Sequence, residues 1–157
     1  ADKARSFGMI IHYHNRSKLD KSLEKNAVYH NSLKSLFSVS DFFSINCPAT
    51  KETKHIINKE TLKYFPDGAV LSNSARGDMI DDDAMVSSLK SGKIFSLGLD
   101  VYNGEPNIHP EYLKLPNVFA LPHLGSSTVT TRTAMGNLAV SNLEEFLKTG
   151  KCKNTVT

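Results

Sequence analysis

The chain has 157 residues, 39% of them hydrophobic and 22% charged, with a net charge of +3 and two cysteines. That is the make-up of one ordinary globular domain, or of part of a larger enzyme, and it can bury roughly 68–70% of its unfolded surface without disulfides or metals. No apolar run nears the roughly 18 residues of a membrane span, and Cys47 and Cys152 form no framework. The charge is also too small to indicate nucleic acid, so a cytoplasmic protein with neither partner is expected. The charge is uneven: residues 1–54 hold nine Lys/Arg against five Asp/Glu, a net +4, while the remainder is net −1. An anion is therefore expected near the beginning.

In chain order, Ala1-Asp-Lys-Ala-Arg5 reads as the last turns of a helix already under way, stopped by Gly8. With no initiator Met, it suggests a segment of a longer chain. Met9–Tyr13 is an apolar and aromatic run that predicts a buried strand. Residues 20–25 look helical, 27–30 form a second strand and 32–37 a short helix. Phe42–Asn46 is a strand closed by Cys47-Pro48, and 53–64 predicts a helix stopped by Pro66-Asp67-Gly68. Ala69–Asn73 is a strand. A helix over 81–91 follows, with acids in its first turn and Gly92 behind it. Ile94–Val101 is a strand leading to Asn103-Gly-Glu-Pro106, and Val118–Leu121 is the last strand. Thr128–Lys148 is a long helical pattern ending at Gly150.

Strands alternating with helices predict an α/β fold with a parallel sheet, whose ligands lie beyond the carboxyl ends of the strands. That rule selects His14–Lys18, Asn46–Thr50, Ser74–Gly77, Tyr102–Pro106 and Pro122–Ser127. Among them, Arg76 can clamp a carboxylate or phosphate with two parallel hydrogen bonds. His123, with a carboxylate such as Glu105 near it, can act as an acid near neutrality. Each of these residues alone is more simply a surface residue. Their shared position at strand ends gives the combination its weight. His12 and His14 alternate on one strand face, but no cysteine or carboxylate cluster joins them, so no metal site is expected. Asp81-Asp-Asp83 is explained by helix capping, and Cys47 by small apolar packing.

Three motifs, Asn73-Ser-Ala-Arg-Gly77, Gly98-Leu-Asp-Val101 with Glu105-Pro106, and Pro122-His-Leu-Gly-Ser-Ser127, resemble the D-isomer-specific 2-hydroxyacid dehydrogenase family. They do so in order and over essentially the whole chain. The resemblance implies a Rossmann-like doubly wound parallel sheet. It makes Arg76 the binder of the substrate carboxylate, His123 the proton donor and acceptor, and Glu105 the group that holds and charges it. It places Asp100 near the nicotinamide, Cys47 and Pro48 towards the adenine, and Ala75, Arg76, His123 and Gly125 along the cofactor. The reaction implied is reduction of a small 2-oxo acid to the D-2-hydroxy acid.

In a dinucleotide fold an acid after the second strand binds the ribose 2′-hydroxyl, and an Arg there accommodates a 2′-phosphate. Here the strand runs into His14-Asn15-Arg16-Ser17-Lys18 with no acid before Asp20. The expected cofactor is therefore NADP(H), with NAD(H) second, as in the glyoxylate and hydroxypyruvate reductase branch. A 3-phosphoglycerate dehydrogenase-like enzyme, which usually has that acid, and a dinucleotide-sensing protein-binding module are the alternatives.

The family's Gly-x-Gly-x-x-Gly turn is absent from the sequence. The expectation is thus most of a dinucleotide-binding domain over 1–127, lacking its first strand. Residues 128–157 would be a helix returning towards a substrate-binding domain. A chain inactive by itself and a homodimeric full-length protein complete the expectations.

Overall fold

A computed structural model describes residues 1–155. Val156 and Thr157, at the end of the expected C-terminal segment, lie outside the described residues. Two compact units divide the chain, residues 1–121 and residues 122–157.

The first unit begins with α1 (Asp2–Ser6), which stops at Phe7 and at Gly8 with φ +78°. The strand expected over 9–13 shortens to β1 (His12–Tyr13) and is not buried, Ile10 being 75% exposed. Only two residues find ladder partners: His12 pairs with Val28 and Tyr13 with Tyr29 of the parallel β2 (Val28–Tyr29). Between them lies the single turn α2 (Lys21–Glu24).

A second, four-stranded parallel sheet runs in the order β3 (Phe42–Ile45), β4 (Ala69–Asn73), β5 (Ile94–Leu99), β6 (Val118–Ala120). Among the described residues no ladder joins it to the two-stranded sheet. The break between β1 and β3 falls where the order 3-2-1-4-5-6 has its first strand, the one that feeds the glycine turn.

The core sits on one face of the larger sheet. Ala69 and Leu71 of β4 and Ile94, Leu97 and Leu99 of β5 are buried there. They meet Phe37 of α3 (Leu33–Phe37), Leu62 of α4 (Lys59–Leu62) and Met85, Val86 and Leu89 of α5 (Asp82–Ser91). Phe37 stacks on Phe65 at 4.6 Å and meets Phe43 edge-on at 5.1 Å. Phe42 and Phe119 are exposed on the opposite face.

Capping sets the helix ends. Asp81 Oδ1 accepts from the Ala84 N–H at 3.1 Å, and Gly92 closes α5 at φ +78°. The helix expected over 53–64 contracts to α4 for the same kind of reason. Asn58 forms a capping box with Thr61, and Ile57 is taken by a parallel bridge to Ile80. Short 3-10 turns at Gly77–Met79 and Tyr112–Lys114 follow β4 and precede β6.

In the second unit, Thr128 caps α6 (Val129–Thr149) by accepting from the Thr131 N–H at 3.1 Å, and Gly150 ends it at φ +70°. No described helix is long and apolar enough to cross a membrane.

Candidate active site

β4 delivers its chemistry through a buried amide. Asn73, 1% exposed, is the last residue of the strand. Its Oδ1 accepts from the Ala75 N–H at 3.0 Å and its Nδ2 donates to the Arg76 carbonyl at 2.7 Å, so one side chain shapes the turn that presents Arg76. The Arg76 guanidinium is exposed and donates to the Ala75 carbonyl at 2.7 Å, leaving further N–H groups directed at solvent.

Gly77 explains how this turn meets the next one. Its φ is ordinary, but a Cβ there would overlap the Tyr102 carbonyl and the Asn103 nitrogen. The Arg76 turn is thus pressed backbone to backbone against the loop that carries Glu105. In that loop Glu105 Oε1 accepts from the Tyr102 N–H at 2.9 Å, and the Glu105–Pro106 peptide is cis. Tyr102 in turn donates its hydroxyl to the Leu121 carbonyl at the end of β6. Burial first, then the charges of Asp100 and Glu105, push its phenol up. The Asp100 N–H is bonded to the Asn73 carbonyl at 3.0 Å. The structure therefore brings Arg76, Asp100 and Glu105 to adjoining loops. Sequence reasoning gave no role to Asn73 and did not single out Tyr102. Its only signal for them was a polar residue ending an apolar strand and a lone aromatic in a loop.

A cleft of about 560 Å³ opens at the carboxyl ends of β3 and β4, lined by Asn46, Cys47, Pro48, Ala49, Ser74, Ala75 and Arg76. Cys47, Pro48 and Ala75, expected on the cofactor side, line this cleft together. The Cys47 thiol lies 3.8 Å from the Met79 sulfur, an apolar packing contact.

At the end of β1, loop His14–Lys18 exposes Asn15, Arg16, Ser17 and Lys18. A guanidinium, an ammonium and a hydroxyl are a donor set an anionic group can use. The charge of Arg16 reaches the Glu52 carboxyl, which is held below the usual range by the Thr50 hydrogen bond, its own backbone and then Arg16. His14 Nδ1 lies 2.7 Å from the His30 carbonyl, which can only accept, so that nitrogen carries the proton. His30 Nε2 lies 2.8 Å from His12 Nδ1, and burial followed by the charges of His12 and His14 lowers its pKa. Among the described residues no group of three His, Cys, Asp or Glu could hold a metal.

His123 belongs to the second unit. It is exposed and adopts φ +55°, an uncommon conformation for a residue with a Cβ. Leu124 and Gly125 follow in the turn that leads to the Thr128 cap, with the Ser127 N–H bonded to the Leu124 carbonyl at 2.8 Å.

Parallel strands flanked by helices, with polar loops at their carboxyl ends, define the class: an α/β fold of the Rossmann type. The D-isomer specific 2-hydroxyacid dehydrogenase family, in its NAD binding domain, matches residues 1–125, and the chain belongs to that family. It is 43% identical over 141 residues to a glycerate dehydrogenase of Hyphomicrobium methylovorum, covering 88% of this chain and 44% of that protein. It is 42% identical over 139 residues to glyoxylate reductase 1 of Saccharomyces cerevisiae, covering 88% and 39%. A crystal structure of an NADPH-dependent glyoxylate/hydroxypyruvate reductase from Sinorhizobium meliloti, in complex with NADP and malonate, superposes with a TM-score of 0.89. It is 34% identical, covering 99% of this chain and 48% of that one. The chain thus spans about half the length of the relatives it matches.

Proposed function

We propose that this chain supplies the dinucleotide-binding and catalytic half of a reductase that converts a small 2-oxo acid, of the glyoxylate or hydroxypyruvate type, to the D-2-hydroxy acid with NADPH. The observation that carries the reading is the backbone packing of Gly77 against Tyr102, which puts the Arg76 turn and the Glu105 loop side by side at the strand ends. The names of the relatives support the substrate class.

When bound, the reduced nicotinamide supplies a hydride to C2 of the oxo acid. Arg76 binds the substrate carboxylate through its free N–H groups and lowers the energy of charge growing on the keto oxygen. His123 is assigned the proton that this oxygen takes up, and Glu105 the holding of its imidazole. Asn73 and Tyr102 touch no reacting atom; they hold the two loops in place. Arg16, Ser17 and Lys18, with no acid in their turn, are assigned to the 2′-phosphate, which makes NADPH the first cofactor and NADH the second. His14, Asn15, Cys47, Pro48, Ala75, Asp100 and Gly125 line the remainder of the cofactor.

Steady-state rates with NADPH and with NADH, over a panel of 2-oxo acids, test this on the product of the complete gene. Faster turnover of two- and three-carbon acids with NADPH is expected. Preference for NADH, or no turnover of any 2-oxo acid, would overturn it. Residues 1–157 alone, with the sheet divided between β1 and β3 and no glycine-rich turn, are expected not to oxidise NADPH with glyoxylate. A cytoplasmic homodimer is the expected state of the full-length protein.

A further inference from the structure

We propose that Tyr13 is a positioning residue for cofactor choice: its hydroxyl, set between Glu24 and the backbone of Leu19, fixes loop His14–Lys18 as an anion seat. The inference rests on the assignment of that loop to the 2′-phosphate.

The direction of each hydrogen bond is fixed by chemistry. The Leu19 N–H can only donate, and it lies 3.0 Å from the Tyr13 oxygen. The Tyr13 hydrogen therefore goes to Glu24 Oε1, at 2.6 Å. One hydroxyl closes the loop at its far end and ties it to α2. The near end is held as well: the Tyr29 hydroxyl donates to the Asn15 carbonyl at 3.4 Å. Tyr13 and Tyr29 are register partners across the parallel pair, with rings 5.3 Å apart, so both ties rise from the same row of the sheet.

Glu24 is itself anchored. Its side chain is 12% exposed, and its carbonyl accepts from the Arg5 guanidinium of α1 at 3.0 Å. The same carboxylate lies 3.6 Å from Lys18 Nζ, which stands 6.0 Å over the Tyr29 ring. The ammonium is thus held back at the loop, with part of its charge offset by Glu24. Positive charge alone does not distinguish this loop from an ordinary basic turn. What does is that a hydrogen-bonded clamp, partly shielded from solvent, orders it before any ligand arrives, which lowers the entropy lost on binding. A ligand lacking the 2′-phosphate makes no use of that order.

Calorimetric titration of NADPH and NADH into the complete gene product, with Arg16→Ala, Tyr13→Phe and Glu24→Gln variants, tests the clamp. Tyr13→Phe is expected to weaken NADPH about tenfold and NADH less than twofold. Glu24→Gln keeps an acceptor for the Tyr13 hydroxyl and removes the charge opposing Lys18, so NADPH should bind as tightly as before or more tightly. Selective loss of NADPH in Arg16→Ala with no change in Tyr13→Phe would overturn the clamp and leave the loop assignment standing. No loss in Arg16→Ala would overturn both. Equal weakening of both cofactors by Tyr13→Phe, its failure to fold, or weaker NADPH binding by Glu24→Gln, would each make Tyr13 merely structural and overturn the proposal.

Discussion

The two sheets of the first unit are built on different physics. The four-stranded sheet rests on a contiguous core from Phe37 to Tyr112, with Phe65, Ile57, Leu71 and Ile94 almost fully buried. Across residues 1–35 no residue is buried, and the β1–β2 region is organised by polar contacts instead: Tyr13 to Glu24, His12 to His30, Arg5 to the Glu24 carbonyl. The core-packed half carries the Arg76 and Glu105 loops, where a small misplacement would cost much of the rate. The polar half carries the loop assigned to cofactor choice.

Stability should show this contrast most strongly. Phe65→Ala should cost about 3–5 kcal/mol, whereas Ile10→Ala should stay within about 0.5 kcal/mol, compared by urea midpoints at constant m. Similar losses at both sites would remove the distinction.

Next in size is Gly77→Ala. The added methyl has no room against the Tyr102 backbone, so the Arg76 turn must shift. A fall of roughly 10²-fold in kcat/KM is expected, with NADPH affinity much less affected. Retained turnover would mean that the packing of the two loops does not matter. Asn73→Ala should follow, at about 1–3 kcal/mol of unfolding free energy, because the Ala75 N–H and Arg76 carbonyl lose their partner. A neutral result would show that the turn holds its shape without the amide.

The smallest effect belongs to the polar half and depends on pH. His30 has a folded pKa below its unfolded value, so the unfolded chain binds the proton first as pH falls. The stability linked to His30 is complete above about pH 6.5 and is lost as pH drops through that value towards the folded pKa. A modest decline in melting temperature from pH 7.5 to 5.5, flattened in His30→Gln, is expected. An identical slope in the variant would contradict the assignment.

The same contrast governed what could be read from sequence. Strands β4 and β5 and helix α5 were legible because apolar periodicity, acidic caps and Gly92 all agree. The stretch 9–13 misled, because Met9 and Ile10 are apolar but exposed and only two residues find a ladder partner. The stretch 53–64 misled because Asn58, read as a helix interior, is a cap. At the site, Arg76 and Glu105 are marked in the sequence by their place after strands, and the fold sets them in adjoining loops. The ties that place them, Asn73 to Arg76 and Tyr102 to Leu121, link a turn to its own strand or two loops to each other. Neither shows in periodicity. The Tyr13 clamp was hidden for the same reason, since Glu24 lies eleven residues away on another element.

The most direct test of the proposed chemistry is His123→Ala in the complete gene product, with glyoxylate reduction and NADPH affinity measured side by side. Turnover should fall by about 10²–10⁴-fold while NADPH binds nearly as before. Turnover at the unsubstituted rate would contradict the assignment of the proton to His123.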